Sequence, residues 1–175
     1  MQEPNAVGLD GFRPIHFVFA SRSADVAKAL LDAGADPNAR IASGNTPLHY
    51  AVQAPSADFT RALLARRADP NALGAINKPV VFNALASPAS DQILPLLAQS
   101  GADLNHVWGG YSPVQAAMVA LHWNSAATLL ALNADHAVRS AQGETASDVF
   151  CDLLKRLKPT PTNHEAVWRV GQGLS

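Results

Sequence analysis

Seven side chains in this 175-residue sequence have the atoms for metal or thiol chemistry: His16, His49, His106, His122, His136, His164 and Cys151. A zinc site gathers three or four ligands from tight spacings, such as two histidines at i and i+4 or a Cys-x-x-Cys pair. No histidine here has another four residues away, and Cys151 has no second cysteine to join it. A catalytic thiol needs a basic or helix-terminal setting and a histidine held beside it. Cys151 lies between Phe150 and Asp152, and Pro159 and Pro161 separate it from His164. The expectation is a chain with no catalytic residue, no metal and no cofactor, in which Cys151 is a small core residue. An enzyme built on a Cys151 thiol ranks third among the functional readings.

The composition narrows the partners. With 48% hydrophobic residues, 15% charged residues and a formal net charge of −1, the chain has no electrostatic case for a nucleic-acid groove or an anionic membrane surface. The basic clusters Arg66-Arg67 and Lys155-Arg156 with Lys158 read as solvated faces. A lone cysteine forbids an intrachain disulfide. No run approaches the ~18 apolar residues of a membrane span, and Met1-Gln2-Glu3-Pro4 has neither region of a signal peptide. A cytoplasmic location is expected, or a periplasmic one if a leader has been removed.

Periodicity supplies the elements. Leucine pairs recur at Leu30-Leu31, Leu63-Leu64, Leu96-Leu97 and Leu129-Leu130, 33 residues apart each time. Each pair is followed by a small-residue turn: Gly34-Ala35-Asp36, Arg67-Ala68-Asp69, Gly101-Ala102-Asp103 and Asn133-Ala134-Asp135. Prolines recur at Pro14, Pro47, Pro79 and Pro113, at intervals of 33, 32 and 34. Asp25, Asp58 and Asp91 form another 33-residue series that Asn124 continues.

Each mark has a mechanical reason. Proline in a first turn loses no needed hydrogen bond, so Thr46-Pro47 and Ser112-Pro113 read as an N-cap and first residue of one helix. An acid in the first turn of a second helix meets the positive end of its dipole. Glycine or asparagine before Ala-Asp supplies the left-handed residue that ends it. The unit is helix, turn, helix, loop. Such short pairs cannot bury an apolar stripe alone, so they must stack. Pro95 falls inside the second helix of the third unit, and the extra residue between Pro79 and Leu96 marks an irregularity there.

Gly44-Asn45-Thr46-Pro47-Leu48-His49-Tyr50-Ala51, then Leu63-Leu64 and Ala68-Asp69-Pro70-Asn71-Ala72, closely resembles the ankyrin repeat. Arg13-Pro14-Ile15-His16 with Gly34-Ala35-Asp36-Pro37-Asn38-Ala39 is similar, while Val81 and Gln115 stand where the first two units have His16 and His49. Gly143-Glu144-Thr145-Ala146-Ser147-Asp148-Val149 resembles the opening of a degenerate closing repeat. The resemblance implies an all-α, ankyrin-type helical solenoid with short β-hairpin fingers between repeats and a concave groove. It also implies that Pro14, His16, Thr46, Pro47, His49, Pro79 and Pro113 are structural, the imidazoles bonding neighbouring loops. The repeats fall near 10–40, 41–73, 74–106 and 107–139, with a closing repeat at 140–157. Residues 1–9 are an N-terminal capping segment, and 158–175 a capping tail in which Val167 and Trp168 cover the last repeat.

Family members mostly bind proteins, and the finger tips carry apolar groups where water alone would favour polar ones. Ile41, Asn45, Ile76, Lys78, Trp108 and Tyr111 on the fingers, with Gln53 and Val119 on the concave side, are the expected partner-binding residues. Phe17, Tyr50 and Phe82, each three residues after its proline, form a column expected to pack in the core. The functional expectation is a module that is monomeric when free and binds another protein through fingers and groove. The alanine-rich composition with four lysines suggests a GC-rich genome and a small bacterial binder, for which an inhibitor or immunity protein against an effector enzyme is one role and an adaptor another. The alternative is a regulatory or scaffolding segment of a larger protein.

Overall fold

In the computed structural model, residues 3–21, 24–157 and 164–174 are described. They form two compact units, Met1–Ala102 and Asp103–Ser175. Among the described residues the only regular elements are helices, and no helix is long and apolar enough to cross a membrane.

The first unit holds three 3-10 helices, Leu9–Gly11, Pro14–Ser21 and Ala75–Asn77, and five α-helices: α1 Ala24–Asp32, α2 Pro47–Ala51, α3 Asp58–Ala65, α4 Val80–Ala84 and α5 Ser90–Gln99. Each short first helix packs on its longer partner, and α1, α3 and α5 pack in sequence. The acids fall as their dipole argument requires, with Asp25, Asp58 and Asp91 each in a first turn. Leu48, Val52, Leu63, Ile93, Leu94 and Leu97 are fully buried.

The second unit holds α6 Pro113–Val119, α7 Trp123–Ala131, α8 Ala146–Arg156 and α9 His164–Gly173. Here α6 packs on α7 and α8, and α9 packs on α7. Val167 and Val170 are buried, whereas Trp168, expected to cover the closing repeat, is 59% exposed. In α9, Val167 and Val170 lie three residues apart on one face. Trp168, one residue on from Val167, points off that face. Pro159, Pro161 and Lys158 lie outside the described residues. Cys151 is exposed rather than a core residue.

Hydrogen bonds correct the register of the third repeat. The turn amides of Ala35, Ala68, Ala102 and Ala134 donate to the carbonyls of Leu30, Leu63, Leu97 and Leu129. Leu97, not Leu96, is therefore the counterpart of Leu63, and α5 carries one residue more than the leucine spacing suggests. Its proline does not end it: α5 continues through Pro95 to Gln99. At the other end of the repeat Pro79 is an N-cap and Val80 the first helical residue, one position later than for Pro47 and Pro113. Phe82, not Val81, consequently occupies the place of His49. Phe82 is buried and is no column-mate of Phe17, which is 54% exposed.

The fingers carry no strands among the described residues. Two isolated antiparallel bridges occur instead, Leu73 with Pro79 and Trp108 with Tyr111. The loops turn back after a single pair, too soon to propagate a ladder. Between Trp108 and Tyr111 the turn is Gly109-Gly110, both at positive φ (60° and 89°), the requirement of a two-residue hairpin.

Candidate functional site

The fingers of each unit are positioned by one recurring side chain, His16, His49 and Phe82 in the first and Gln115 and Asp148 in the second, spaced 33 residues apart at the third position of each first helix. The polar ones turn back to their own helix start. His16 Nδ1 accepts from the Arg13 amide at 3.1 Å, His49 Nδ1 from the Thr46 amide at 3.1 Å, and Gln115 Oε1 from the Ser112 amide at 2.9 Å. Asp148 Oδ2 accepts from the Thr145 amide at 2.9 Å. Each bond satisfies a backbone donor that a helix start leaves open.

The far ends of His16, His49 and Gln115 reach the next loop. His16 Nε2 donates to the Ala39 carbonyl at 3.0 Å, and His49 Nε2 to the Lys78 carbonyl at 3.3 Å. Because Nδ1 is an acceptor, the proton sits on Nε2, which fixes the tautomer. Gln115 has two amide protons and reaches both the Val138 carbonyl at 3.2 Å and the Glu144 carbonyl at 2.6 Å. The two imidazoles are fully buried. Burial holds both below the usual histidine range, and nearby Arg40 and Lys78 push His49 the same way. Phe82 has no hydrogen-bonding atom in its ring and cannot make this clamp.

A second ladder runs through asparagines. Asn5 donates to the Gly34 carbonyl and accepts from the Asp36 amide, and Asn38 does the same with Arg67 and Asp69. In the second unit Asn105 accepts from the Asp135 amide at 2.8 Å. The fingers of the first unit are also tied to each other. Asn45 Oδ1 accepts from the Ala75 amide at 2.9 Å, and Ala42 N donates to the Asp10 carbonyl at 2.7 Å. Gly74 passes so close that a Cβ there would lie 2.6 Å from His49 Nε2 and closer still to Asn45 Oδ1.

The expected partner-binding residues separate on this frame. Ile41 is 9% exposed and is a finger-base packing residue, because its backbone closes the loop on Asn45 and turns the side chain inward. Asn45 is half-buried in the finger-to-finger bond, and Lys78 is half-buried with its carbonyl in the His49 clamp. Trp108 and Tyr111 are half-buried. Gln53 is exposed and donates to the His49 carbonyl at 2.7 Å; Val119 is 45% exposed.

Ile76 stands apart at 81% exposure and a φ of 54°. The left-handed region costs an L-residue roughly 1–2 kcal/mol, and β-branched residues are the worst suited to it. Ile76 lies at the lip of a shallow cleft of about 540 Å³ between two fingers, lined also by Arg40, Ser43, Asp69, Asn71 and Asn77. Leu9 at 90% and Val7 at 66% exposure add apolar surface on the first finger, and Leu121 on the turn after α6 is 47% exposed at φ 61°. Sequence reading missed these three. The signal for Leu9 was present: Gly11, Gly44, Gly110 and Gly143 form a 33-residue series of positive-φ finger glycines, with Asn77 filling the gap.

Among the described residues no three His, Cys, Asp or Glu side chains stand close enough to share a metal ion. Residues 1–73 match the family model for ankyrin repeats (3 copies). No curated protein matches the chain at a significant level.

Proposed function

Because residues 1–73 are ankyrin repeats, a fold that generally mediates protein–protein interaction, we propose that this chain acts by gripping a partner protein with its fingers, not by catalysis. Ile76 carries the proposal. A β-branched residue held at φ 54° with most of its surface in water contributes strain and little burial, and backbone strain of this kind concentrates at binding and switching sites. Leu9 and Val7 extend the apolar surface of the first unit, and Val119 and Leu121 offer a smaller patch in the second.

The test exploits opposite signs. Ile76→Asn places a residue that tolerates the left-handed region, so it should raise the unfolding free energy by about 1 kcal/mol. The same change should reduce capture of the cognate protein from source lysate at least ~30-fold, as expected when a hot-spot side chain worth about 2 kcal/mol is lost. A variant that captures the same protein as well as the parent removes Ile76 from the interface. Under this proposal an inhibitor or immunity protein abolishes the activity of the enzyme it captures, whereas a scaffolding segment leaves that activity intact. Assaying the captured partner with and without the chain separates the two roles.

A further inference from the structure

The finger that presents Ile76 closes on a titratable side chain. We propose that His49 makes this closure acid-labile, so that the surface around Ile76 is held at neutral pH and loosens on acidification. The inference rests on reading the finger as a binding surface, but its chemistry is local and is tested without a partner.

The neck of the finger is the Lys78 carbonyl, which accepts both from the Gly74 amide at 2.9 Å and from His49 Nε2 at 3.3 Å. On the other side of the ring, Nδ1 accepts from the Thr46 amide, with the Thr46 hydroxyl also 2.9 Å away. The bond from the Thr46 amide needs the neutral imidazole, whereas the Thr46 hydroxyl can turn to accept and the Nε2–H bond to Lys78 exists in either protonation state. A second proton would go on Nδ1 and turn it into a donor facing the Thr46 N–H. The closed state therefore takes the proton only by giving up the Thr46 amide bond at the start of α2 while the ring stays buried.

The surroundings reinforce this. The ring is fully buried. Arg40 faces it from the preceding finger, held there by bonds from Nη1 to the carbonyls of Leu73 at 2.9 Å and Gly44 at 3.3 Å. Lys78 faces it from the finger itself, and the Asp69 carboxylate opposes both cations. From α4 the nearest polar group is the neutral Asn83 amide, on the His49 carbonyl at 3.4 Å; α2 itself carries no other charged side chain. In an opened finger the imidazole meets water and regains a value near 6.5. Below that pH the open form binds up to one proton more than the closed form, and opening is favoured by at most ~10-fold per pH unit until the closed-state value is reached.

The second unit provides the control. Gln115 occupies the same position in its own first helix and holds the Glu144 carbonyl, which accepts from the Ser140 amide at 2.8 Å just as Lys78 does from Gly74. An amide has no proton to gain in this range. The device is thus present or absent according to one residue type in an otherwise shared design.

Amide hydrogen exchange on the full chain between pH 7.5 and 5, corrected for intrinsic exchange rates, tests it. The Gly74 and Lys78 amides should lose protection as pH falls below about 6.5, by at most ~10-fold per pH unit, while the Ser140 and Gly143 amides stay level. His49→Gln should retain the finger and flatten the Gly74 and Lys78 profile. A level profile in the parent, a slope that survives His49→Gln, or equal slopes in both fingers overturns the proposal. Should His49→Gln not fold, the comparison of the two fingers within the parent decides. Ile76→Asn tests the binding surface by a separate readout, so failure there leaves this result standing, and the reverse.

Discussion

The two units solve one problem with different chemistry. In each, a polar third residue of a first helix accepts from the helix's own N-cap amide, and His16, His49 and Gln115 also donate outward to the next loop. His16 and His49 meet this with one acceptor nitrogen and one donor, and only in the neutral state. Gln115 meets it with one acceptor and two donors, and its charge never changes. Asp148, in the last first-helix, has acceptors only, and accepts from both the Thr145 amide and the Thr145 hydroxyl. Where the clamp is made, it is a hydrogen-bond pattern rather than a residue type, and the type chosen sets how the clamp responds to pH.

The largest effect that can break this comparison comes from removing the clamps. Gln115→Leu leaves the Ser112 amide and the Val138 carbonyl short of a partner, while the Glu144 carbonyl keeps its bond from Ser140, and buried unsatisfied groups cost about 1–3 kcal/mol each. A loss of about 3 kcal/mol is expected by chemical denaturation. His49→Leu should cost about 2 kcal/mol, because it orphans the Thr46 amide alone, the Lys78 carbonyl keeping its bond from Gly74. Equal losses, or the reverse order, would mean the second amide donor contributes nothing.

Acid sharpens the contrast next. Burial lowers the folded-state values of His16 and His49 below the ordinary 6.5. The unfolded chain therefore binds more protons below that pH, and stability falls as pH drops through the window beneath about 6.5 and is level above it. The slope is bounded at about 1.4 kcal/mol per pH unit for each histidine. His16→Gln with His49→Gln should flatten it. Asp148 has the opposite history: hydrogen bonds from the Thr145 amide and hydroxyl lower its carboxyl below 3.8. Its contribution is present above that value and is lost only as pH falls beneath it, so the two effects separate along the pH axis. A double variant as acid-sensitive as the parent would remove the histidines as the cause.

The smallest effect concerns Thr60, fully buried in α3 with a hydroxyl that has no hydrogen-bond partner. The corresponding helices have Ala27 and Ala126 there, both fully buried. Thr60→Val removes an unsatisfied polar atom at little change in shape and should raise the unfolding free energy by about 1 kcal/mol. An unchanged or lower thermal midpoint would show that the hydroxyl is bonded in solution.

Much of this architecture could be read from the order of residues. The 33-residue leucine and acid series, the capped proline starts at Thr46 and Ser112, and the structural reading of His16 and His49 all rest on interactions local to one repeat or copied between adjacent ones. Such interactions leave a period in the sequence. The register of the third repeat did not, because its leading proline sits one residue early while α5 carries one residue more. The leucine spacing hides both shifts, and only the turn amides of Ala68 and Ala102 reveal that Leu97 is the true counterpart of Leu63.

The candidate surface was harder to read, for a related reason. Sequence gives the apolar character of a finger residue but not the direction its backbone turns it. Ile41 and Ile76 look alike in sequence, yet one is 9% exposed and the other 81%. Ile41 follows an ordinary finger path in which Gly44 takes the left-handed turn, whereas Ile76 and Asn77 take it themselves. The amino-acid sequence by itself determined the repeat, its helix pairs and the groups that lock them, since each depends on near neighbours at fixed spacing. Tertiary structure alone decided which apolar groups face water, because exposure depends on φ at a few loop residues and on what the neighbouring repeat covers.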